Sequence, residues 1–293
     1  MKKNTLLAVL TVIIWASLAT AAKILLKSIP DLEALAVSGF FAFLFLLGVN
    51  LVSGRLHRMK EYSPIDFMKM AGLGFIGLFL YSALYYYGID QLSAQTACIV
   101  NYLWPIMLVV FSCLILKEKM TVLKAAALLV SFAGVVVLTA GGPGSGNGNF
   151  GLGVAACVTA AACYGLFCVL NKKADMDQNI TMMVVWLTVA VCSFALGMTQ
   201  ENWVTIHGSQ WLGLIWLGVV ADAIAYLTWA LALKGEGDSA VISNIAYLTP
   251  LLSVIISAVV LGERLTIHAF VAFIFIIAGI ALQAVDSMRR SRA

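Results

Sequence analysis

The chain has 293 residues, of which 62% are hydrophobic and only 11% are charged, and its mean hydropathy is +1.00. Soluble domains carry about 25% charged residues, so this composition excludes an ordinary water-soluble fold. The formal net charge is +4. Because the positive residues are distributed over separate loops, this charge indicates membrane topology and not a nucleic-acid partner.

Ten apolar stretches of about 20 residues follow one another along the chain, each long enough to cross a bilayer as an α-helix. The first is longer than the apolar core of about 7 to 15 residues found in signal peptides, so we expect it to be retained. The sequence therefore predicts an all-α polytopic membrane protein with ten transmembrane helices. Their predicted limits are 5–27, 33–53, 68–88, 93–116, 121–140, 150–171, 179–198, 210–233, 238–261 and 267–286.

Lysine and arginine residues are concentrated in alternate loops. If the N-terminus is cytoplasmic, all but three of the 18 positive residues fall on the cytoplasmic side. The three on the outer side are Lys23, Lys27 and Arg264. Because loops rich in lysine and arginine stay in the cytoplasm, we expect both termini to be cytoplasmic.

A glycine-rich segment, residues 141–149, divides the chain into two halves. Its sequence, Gly-Gly-Pro-Gly-Ser-Gly-Asn-Gly-Asn, favours flexible coil over helix or strand. We therefore predict a first five-helix repeat at 1–140, an external linker at 141–149 and a second five-helix repeat at 150–293.

The two halves resemble each other in sequence. At a constant offset, Tyr102-Leu103-Trp104-Pro105 aligns with Tyr247-Leu248-Thr249-Pro250, and Glu118 aligns with Glu263. Each half contains an odd number of spans, so the second must be inverted in the membrane relative to the first. Inverted repeats are typical of secondary transporters, which bind substrate between the halves.

These motifs resemble the EamA-type ten-helix members of the drug/metabolite transporter superfamily. The resemblance covers essentially the whole chain and rests on the paired Tyr-x-x-Pro elements and on two Leu-x-Glu-(Lys/Arg)-x-Thr segments, at 116–121 and 261–266. Within the superfamily, Asn101-Tyr102-Leu103-Trp104-Pro105 and Trp15 resemble the YddG-type exporters of aromatic amino acids. The resemblance implies a transporter of the bacterial cytoplasmic (inner) membrane that exports amino acids, aromatic ones among them, or related small metabolites by alternating access.

Aromatic and polar residues that share helix faces form the predicted substrate site. Tyr81 and Tyr85 lie on one face of the third helix, and Asn101 and Trp104 on one face of the fourth. Aromatic rings can stack on flat ligands or hold ammonium groups, whereas the alternative role is helix packing or interfacial anchoring. The predicted substrate-binding residues are Trp15, Tyr81, Tyr85, Asn101, Trp104, Tyr164, Asp222, Tyr226, Trp229, Asn244 and Tyr247.

Asp222 is the most distinctive single residue, because an aspartate inside a span costs about 2.5 to 3.5 kcal/mol on insertion scales and marks polar pathways. Tyr226 and Trp229 follow at helical spacing, which predicts that the three side chains share one face of the eighth helix. Asp222 would either couple proton movement to transport or pair with a substrate ammonium group. The structural alternative is an aspartate satisfied by hydroxyl groups of neighbouring helices.

Pro105 and Pro250 occupy equivalent places in the two halves, and each removes one backbone donor from its helix. Their pairing predicts gating hinges, with packing kinks as the alternative. Lys23 and Lys172 also match between the halves. They are expected to extend to the membrane surface or, alternatively, to contact a substrate carboxylate or a gate. The glutamates of the two Leu-x-Glu segments are expected to form ion pairs in loops.

Other functional classes have little support in the sequence. The three histidines, His57, His207 and His268, fall in or beside loops, so neither a Ser-His pair nor a metal cluster is predicted within the membrane. No Gly-x-x-x-x-Gly-Lys-(Ser/Thr) motif occurs, so we expect no direct use of ATP. The sequence thus predicts a protein that is not an enzyme, with no cofactor, metal or nucleic-acid partner, in contact with the bilayer and a small-molecule substrate. It leaves the oligomeric state open.

Two alternatives remain at this point. A multidrug or cationic-metabolite exporter of the same fold would use the same aromatic wall to hold ammonium groups. A membrane-embedded enzyme acting on lipid-linked substrates would need converging polar residues open to the bilayer, whereas the sequence shows inverted repeats.

Overall fold

A computed structural model of the protein describes residues 3–117, 120–140, 148–174, 176–234, 248–263 and 266–291. Within these ranges the chain forms ten α-helices and one 3-10 helix, Arg55–Glu61, and it contains no strand. Two of the helices, α3 and α8, each include a π-helical segment, Gly74–Phe79 and Trp216–Ile224 respectively. The helices are α1 (Lys3–Leu25), α2 (Asp31–Val52), α3 (Pro64–Gln91), α4 (Ala94–Ile115), α5 (Val122–Ala140), α6 (Phe150–Lys173), α7 (Gln178–Gln200), α8 (Ser209–Ile215, continued by Trp216–Ile224 and Ala225–Lys234), α9 (Leu248–Leu261) and α10 (Ile267–Ser291).

Hydropathy accounts for most of these helices. Seven of them, α1 to α4 and α6 to α8, are long and apolar enough to cross a membrane. The other three carry shorter apolar stretches, Val122–Val137, Leu252–Leu261 and Phe270–Gly279. Helix ends lie within a few residues of the predicted limits, except that the predicted start of the ninth helix, at 238, lies outside the described residues. The prediction of an all-α multi-pass membrane protein is confirmed.

Contacts between helix ends reveal the inversion of the two halves. Lys23, at the end of α1, contacts the end of α3. On the same face, Glu201, which follows α7, contacts the start of α2, and Glu263, which follows α9, contacts the start of α4. The first and third helices of the first half therefore end where the second and fourth helices of the second half end. We call this the Lys23 face and the opposite one, where Asp177 caps the start of α7, the Asp177 face.

The two halves exchange their first helices. Helix α1 packs against α8 and α9, the third and fourth helices of the second half, and α6 packs against α3 and α4 in the same way. The remaining helices pair with their counterparts, α2 along α7 and α5 along α10. This arrangement places α1 and α6 at the interface between the halves, where inverted-repeat transporters hold their substrates.

One glycine in each half lets its helix cross a helix of the opposite half closely. A methyl group added at Gly74 of α3 would lie 2.9 Å from the carbonyl oxygen of Val185 on α7. A methyl group added at Gly218 of α8 would collide with the carbonyl oxygen of Ser38 on α2. Both glycines lie in the π-helical segments, and such segments are frequent at functional sites. The same irregularity therefore occurs once in each half, directly before the aromatic stretches of α3 and α8.

Lys23 caps a helix end instead of extending to the membrane surface. Its ammonium group donates hydrogen bonds of 2.5, 2.8 and 2.7 Å to the carbonyl oxygens of Ile89, Asp90 and Leu92. Carbonyls at a helix C-terminus lack intrahelical partners and lie at the negative end of the helix dipole. Lys23 thus fastens α1 to α3 on one face, whereas Lys172, its counterpart on the opposite face, is exposed.

Glu263 caps the start of α4, and the expected loop ion pair at this residue stays a prediction. Its carboxylate accepts hydrogen bonds of 2.8 Å and 3.0 Å from the backbone N–H groups of Ala94 and Gln95. These are orphan donors at the positive end of the helix dipole, where a carboxylate stabilises the helix. Glu201 does the same for α2 through the N–H groups of residues 32 and 33. Each glutamate joins one half to the other.

The cap at α4 gives a first prediction, on stability. We expect Glu263→Ala to lower the free energy of unfolding by about 1 to 2 kcal/mol, because two helix-terminal donors lose a charged acceptor. Glu263→Gln keeps one acceptor and should lose less. The apparent melting temperature of the detergent-purified protein measures the effect, with Glu61→Ala, an exposed glutamate on the other face, as the control. Equal melting temperatures for Glu263→Ala and wild type would contradict the capping role.

Candidate functional site

A cavity lies between the two halves, at the level where α4 is broken. Its walls come from six helices, three of the first half (α1, α3 and α4) and three of the second (α6, α8 and α9). Its lining carries no charged side chain among the described residues. The residues that line it are Trp15, Leu18, Tyr81, Tyr85, Cys98, Asn101, Tyr102, Trp104, Tyr164, Tyr226 and Thr249.

Tyr164 is the centre of the aromatic wall. Its ring lies 4.9 Å from that of Tyr81, nearly parallel to it, and 5.1 Å from that of Trp104, edge to face. Tyr226 completes the group at 5.8 Å. These are the separations at which aromatic pairs attract each other, so the rings hold one another in place as well as facing the cavity. Because Tyr164 belongs to α6, the exchanged helix carries the central ring of the site.

Trp15 provides the matching ring from α1. It contacts Tyr226 at 5.1 Å and Trp229 at 5.5 Å. Tyr226 also contacts Trp186 of α7 at 5.6 Å, edge to face. Trp186 is fully buried, and neither it nor Trp229 lines the cavity. The two tryptophans form a supporting layer that fixes the orientation of Trp15 and Tyr226.

The break in α4 allows two neighbouring segments of one helix to reach the cavity. Helix geometry ends at Asn101 and resumes at Trp104, and the turn between them contains an i to i−3 bond from the Leu103 N–H to the Val100 carbonyl. Pro105 cannot donate to the carbonyl of Asn101, which is the physical reason for the break. Asn101 and Trp104 therefore both line the cavity. This agrees with the prediction that the two side chains share one face of the helix.

Polar atoms on the cavity wall are incompletely paired. Asn101 donates a hydrogen bond of 3.2 Å to the Tyr81 hydroxyl, which leaves its carbonyl oxygen Oδ1 without a partner among the described residues. The indole nitrogen of Trp15 and the hydroxyl of Thr249 are likewise buried and unpaired there. Buried polar groups are normally hydrogen-bonded, and each exception calls for an explanation. A ligand in the cavity would supply the missing partners.

The cavity is narrow in this conformation. Its volume is about 40 Å³, counted as the space open to the centres of water molecules. One water needs about 10 to 15 Å³ on this measure, so the space suits about three waters and is too small for an aromatic amino acid. A ligand of that size requires the walls from the two halves to move apart.

Asp222 lies behind the wall and does not line the cavity. The side chain is 4% exposed, and its Oδ2 atom has no hydrogen-bond partner among the described residues. It lies within electrostatic reach of Tyr81, Tyr86 and Tyr226, two of which line the cavity. Its predicted role in substrate binding remains a prediction.

The structure brings most of the predicted site residues together. Seven of them line the cavity, Trp15, Tyr81, Tyr85, Asn101, Trp104, Tyr164 and Tyr226. Trp229 touches Trp15 from behind, and Asn244 and Tyr247 lie outside the described residues. Four residues of the lining are not among the predicted site residues: Leu18, Cys98, Tyr102 and Thr249. For Thr249 a signal existed, because it is the repeat counterpart of Trp104.

Metal binding has no obvious location in the part of the chain that the structure describes. No group of three or more His, Cys, Asp or Glu side chains there could hold a metal ion. The six cysteines are free.

Comparison with known proteins identifies the family. The model of the EamA-like transporter family matches residues 2–140 and 151–284, one match for each half. The chain belongs to the EamA-like transporter family. EamA family members are transporters, and this chain is therefore a multi-pass membrane transporter. Residues 141–149 lie between the two matches and largely outside the described residues. Their predicted role as the linker stays a prediction.

Several proteins that are similar to this chain are named as transporters. An uncharacterized transporter of Bacillus subtilis, YvbV, is 27% identical over 299 residues, covering 99% of this chain and 94% of its own. The aromatic amino acid exporter YddG of Ancylobacter novellus is 30% identical over 194 residues, covering 64% of this chain and 65% of its own. A crystal structure of another protein has the same fold, with a TM-score of 0.70 at 24% identity over 98% of both chains.

Proposed function

We propose that this EamA family member exports amino acids, aromatic amino acids first among them, or related small metabolites. The observation that carries the proposal is the cavity between the halves, walled by tyrosine and tryptophan rings and by neutral hydrogen-bonding groups. Rings stack on flat ligands, and unpaired polar atoms at fixed positions orient them. The similarity to an exporter of aromatic amino acids supports the same substrate class.

We propose alternating access as the mechanism. On the Lys23 face, Lys23 binds the end of α3, Glu201 caps the start of α2 and Glu263 caps the start of α4. Lys172, the repeat counterpart of Lys23 on the Asp177 face, is exposed. The Asp177 face also joins the two halves, because Arg55 and Arg58 form salt bridges with Asp177. Repeat-related lysines in different environments are the asymmetry expected of two halves that exchange conformations. Pro105 at the break of α4 and Pro250 in the first described turn of α9 serve as the hinges.

The orientation follows from the distribution of positive residues and is tested by labelling. We propose that the Lys23 face is external, with both termini in the cytoplasm of a bacterial cell. Lys27 and Lys60 are exposed on opposite faces, which makes them a matched pair. A membrane-impermeant maleimide on intact cells should label Lys27→Cys and spare Lys60→Cys, with wild type giving the background of the six native cysteines. The reverse pattern would overturn the orientation.

Counterflow in proteoliposomes tests the proposed function. Purified protein is reconstituted with an unlabelled solute inside, and entry of the radiolabelled solute is followed for aromatic amino acids, other amino acids, amines and sugars. We expect the fastest exchange for aromatic amino acids. Exchange confined to amines or quaternary ammonium compounds would instead favour the cationic-metabolite exporter.

A further inference from the structure

The repeat places two different residues at equivalent positions of the cavity. Trp104 of α4 and Thr249 of α9 directly precede the paired prolines, and both line the cavity. A symmetric cavity would carry an indole on each side. Here one side presents a large ring and the other a small hydroxyl, so the cavity has an apolar side and a polar side.

Thr249 is one of three buried helix threonines, with Thr20 and Thr181, whose hydroxyl has no partner among the described residues, and of the three it alone lines the cavity. Thr11, Thr159, Thr188 and Thr228 each donate to the backbone carbonyl four residues earlier. Such a bond satisfies the hydroxyl within its own helix. Thr249 is 2% exposed, and its Oγ1 atom has no partner among the described residues. A buried unpaired hydroxyl is unfavourable, and a hydrogen bond to a bound ligand would remove that cost.

The other unpaired atoms define which ligand groups fit. The indole N–H of Trp15 can only donate, the Oδ1 atom of Asn101 can only accept, and the Thr249 hydroxyl can do either. A carboxylate accepts from two donors, and an ammonium group donates to an amide oxygen. A quaternary ammonium compound offers nothing to the two donors.

We propose that Thr249 is a specificity-determining residue, whose hydroxyl donates to a carboxylate of the substrate and so selects amino acids over the corresponding amines. The inference rests on the proposed function. The substrate's ring lies on the Trp104 side and its carboxylate on the Thr249 side. Asn101 then accepts from the ammonium group through the oxygen that its bond to Tyr81 leaves free.

A pair of ligands that differ by one carboxylate tests the proposal. L-tryptophan and tryptamine share the indole and the amine, and only the first carries the acceptor. In counterflow, Thr249→Val should raise the half-saturation concentration of L-tryptophan about ten- to hundredfold, the range for one lost hydrogen bond to a charged group. Transport of tryptamine should not change. Thr249→Ser should retain the preference of wild type, and Thr159→Val, at an exposed position remote from the cavity, controls for loss of a helix hydroxyl.

The outcomes separate the role of Thr249 from the proposed function. If Thr249→Val weakens transport of both ligands equally, the residue acts in packing and the proposal is wrong. If the variant matches wild type for both, the hydroxyl does not contact substrate and the proposal is also wrong. If wild-type protein exchanges neither ligand although it exchanges another solute, the proposed substrate class is wrong. The proposed contact of Thr249 with a substrate carboxylate is then wrong as well.

Discussion

Replacing Trp104 by alanine should reduce transport of the best substrate roughly ten- to thirtyfold at subsaturating concentration, without loss of the protein from the membrane. The side chain lines the cavity and lies 5.1 Å from the central ring of Tyr164. Its removal takes away both a stacking surface for the ligand and the edge that positions that ring. Trp104→Phe keeps an aromatic surface and should retain a substantial part of the rate.

The measurement is initial counterflow at a substrate concentration below half-saturation, normalised to the amount of reconstituted protein. Trp211→Ala is the matched control, since this tryptophan is 42% exposed and contacts Phe41 away from the cavity. Wild-type transport by a well-expressed Trp104→Ala protein would remove Trp104 from the substrate site. A loss shared equally by Trp104→Ala and Trp211→Ala would point to general damage to the bundle.

The fold could be predicted from the sequence because its causes are local or periodic. Length and hydropathy of each stretch define the helices, and an odd number of spans per half requires inversion. The aromatic wall was also accessible, because Tyr81 and Tyr85, like Asn101 and Trp104, share a face by spacing alone. Their partner Tyr164 is the repeat counterpart of Trp15, and both line the cavity.

The remaining features depend on which helices meet. That α1 packs between α8 and α9 follows from the exchange of first helices, which no local pattern encodes. The capping of α4 by Glu263 joins residues far apart in the chain, and no local pattern predicts it. Asp222 lies in a π-helical segment, which changes the angular step that helical spacing assumes, so spacing alone does not define its face.

Asp222 carries the second prediction with a large effect. The repeat counterpart of this residue is Gly77, where an added methyl group would collide with the ring of Phe167. The carboxylate therefore exists in one half only. It is buried next to Tyr81 and Tyr226 of the cavity wall, with Oδ2 unpaired among the described residues. An intramembrane carboxylate of this kind is expensive to maintain and marks proton relays or substrate pathways.

Asp222→Asn separates the two roles, because asparagine keeps the shape and hydrogen bonding of aspartate but cannot take up or release a proton. If Asp222 couples proton movement to transport, it acts from behind the cavity wall and does not contact the substrate. The variant should then lose accumulation driven by an imposed pH gradient while counterflow without a gradient continues at the wild-type rate. We expect this result, because Asp222 is absent from the cavity lining. If the variant instead loses affinity in both assays, the carboxylate pairs with the substrate ammonium group in another conformation. If both assays match wild type at mildly acidic and at neutral pH, Asp222 has a structural role, and proton coupling through this residue is refuted.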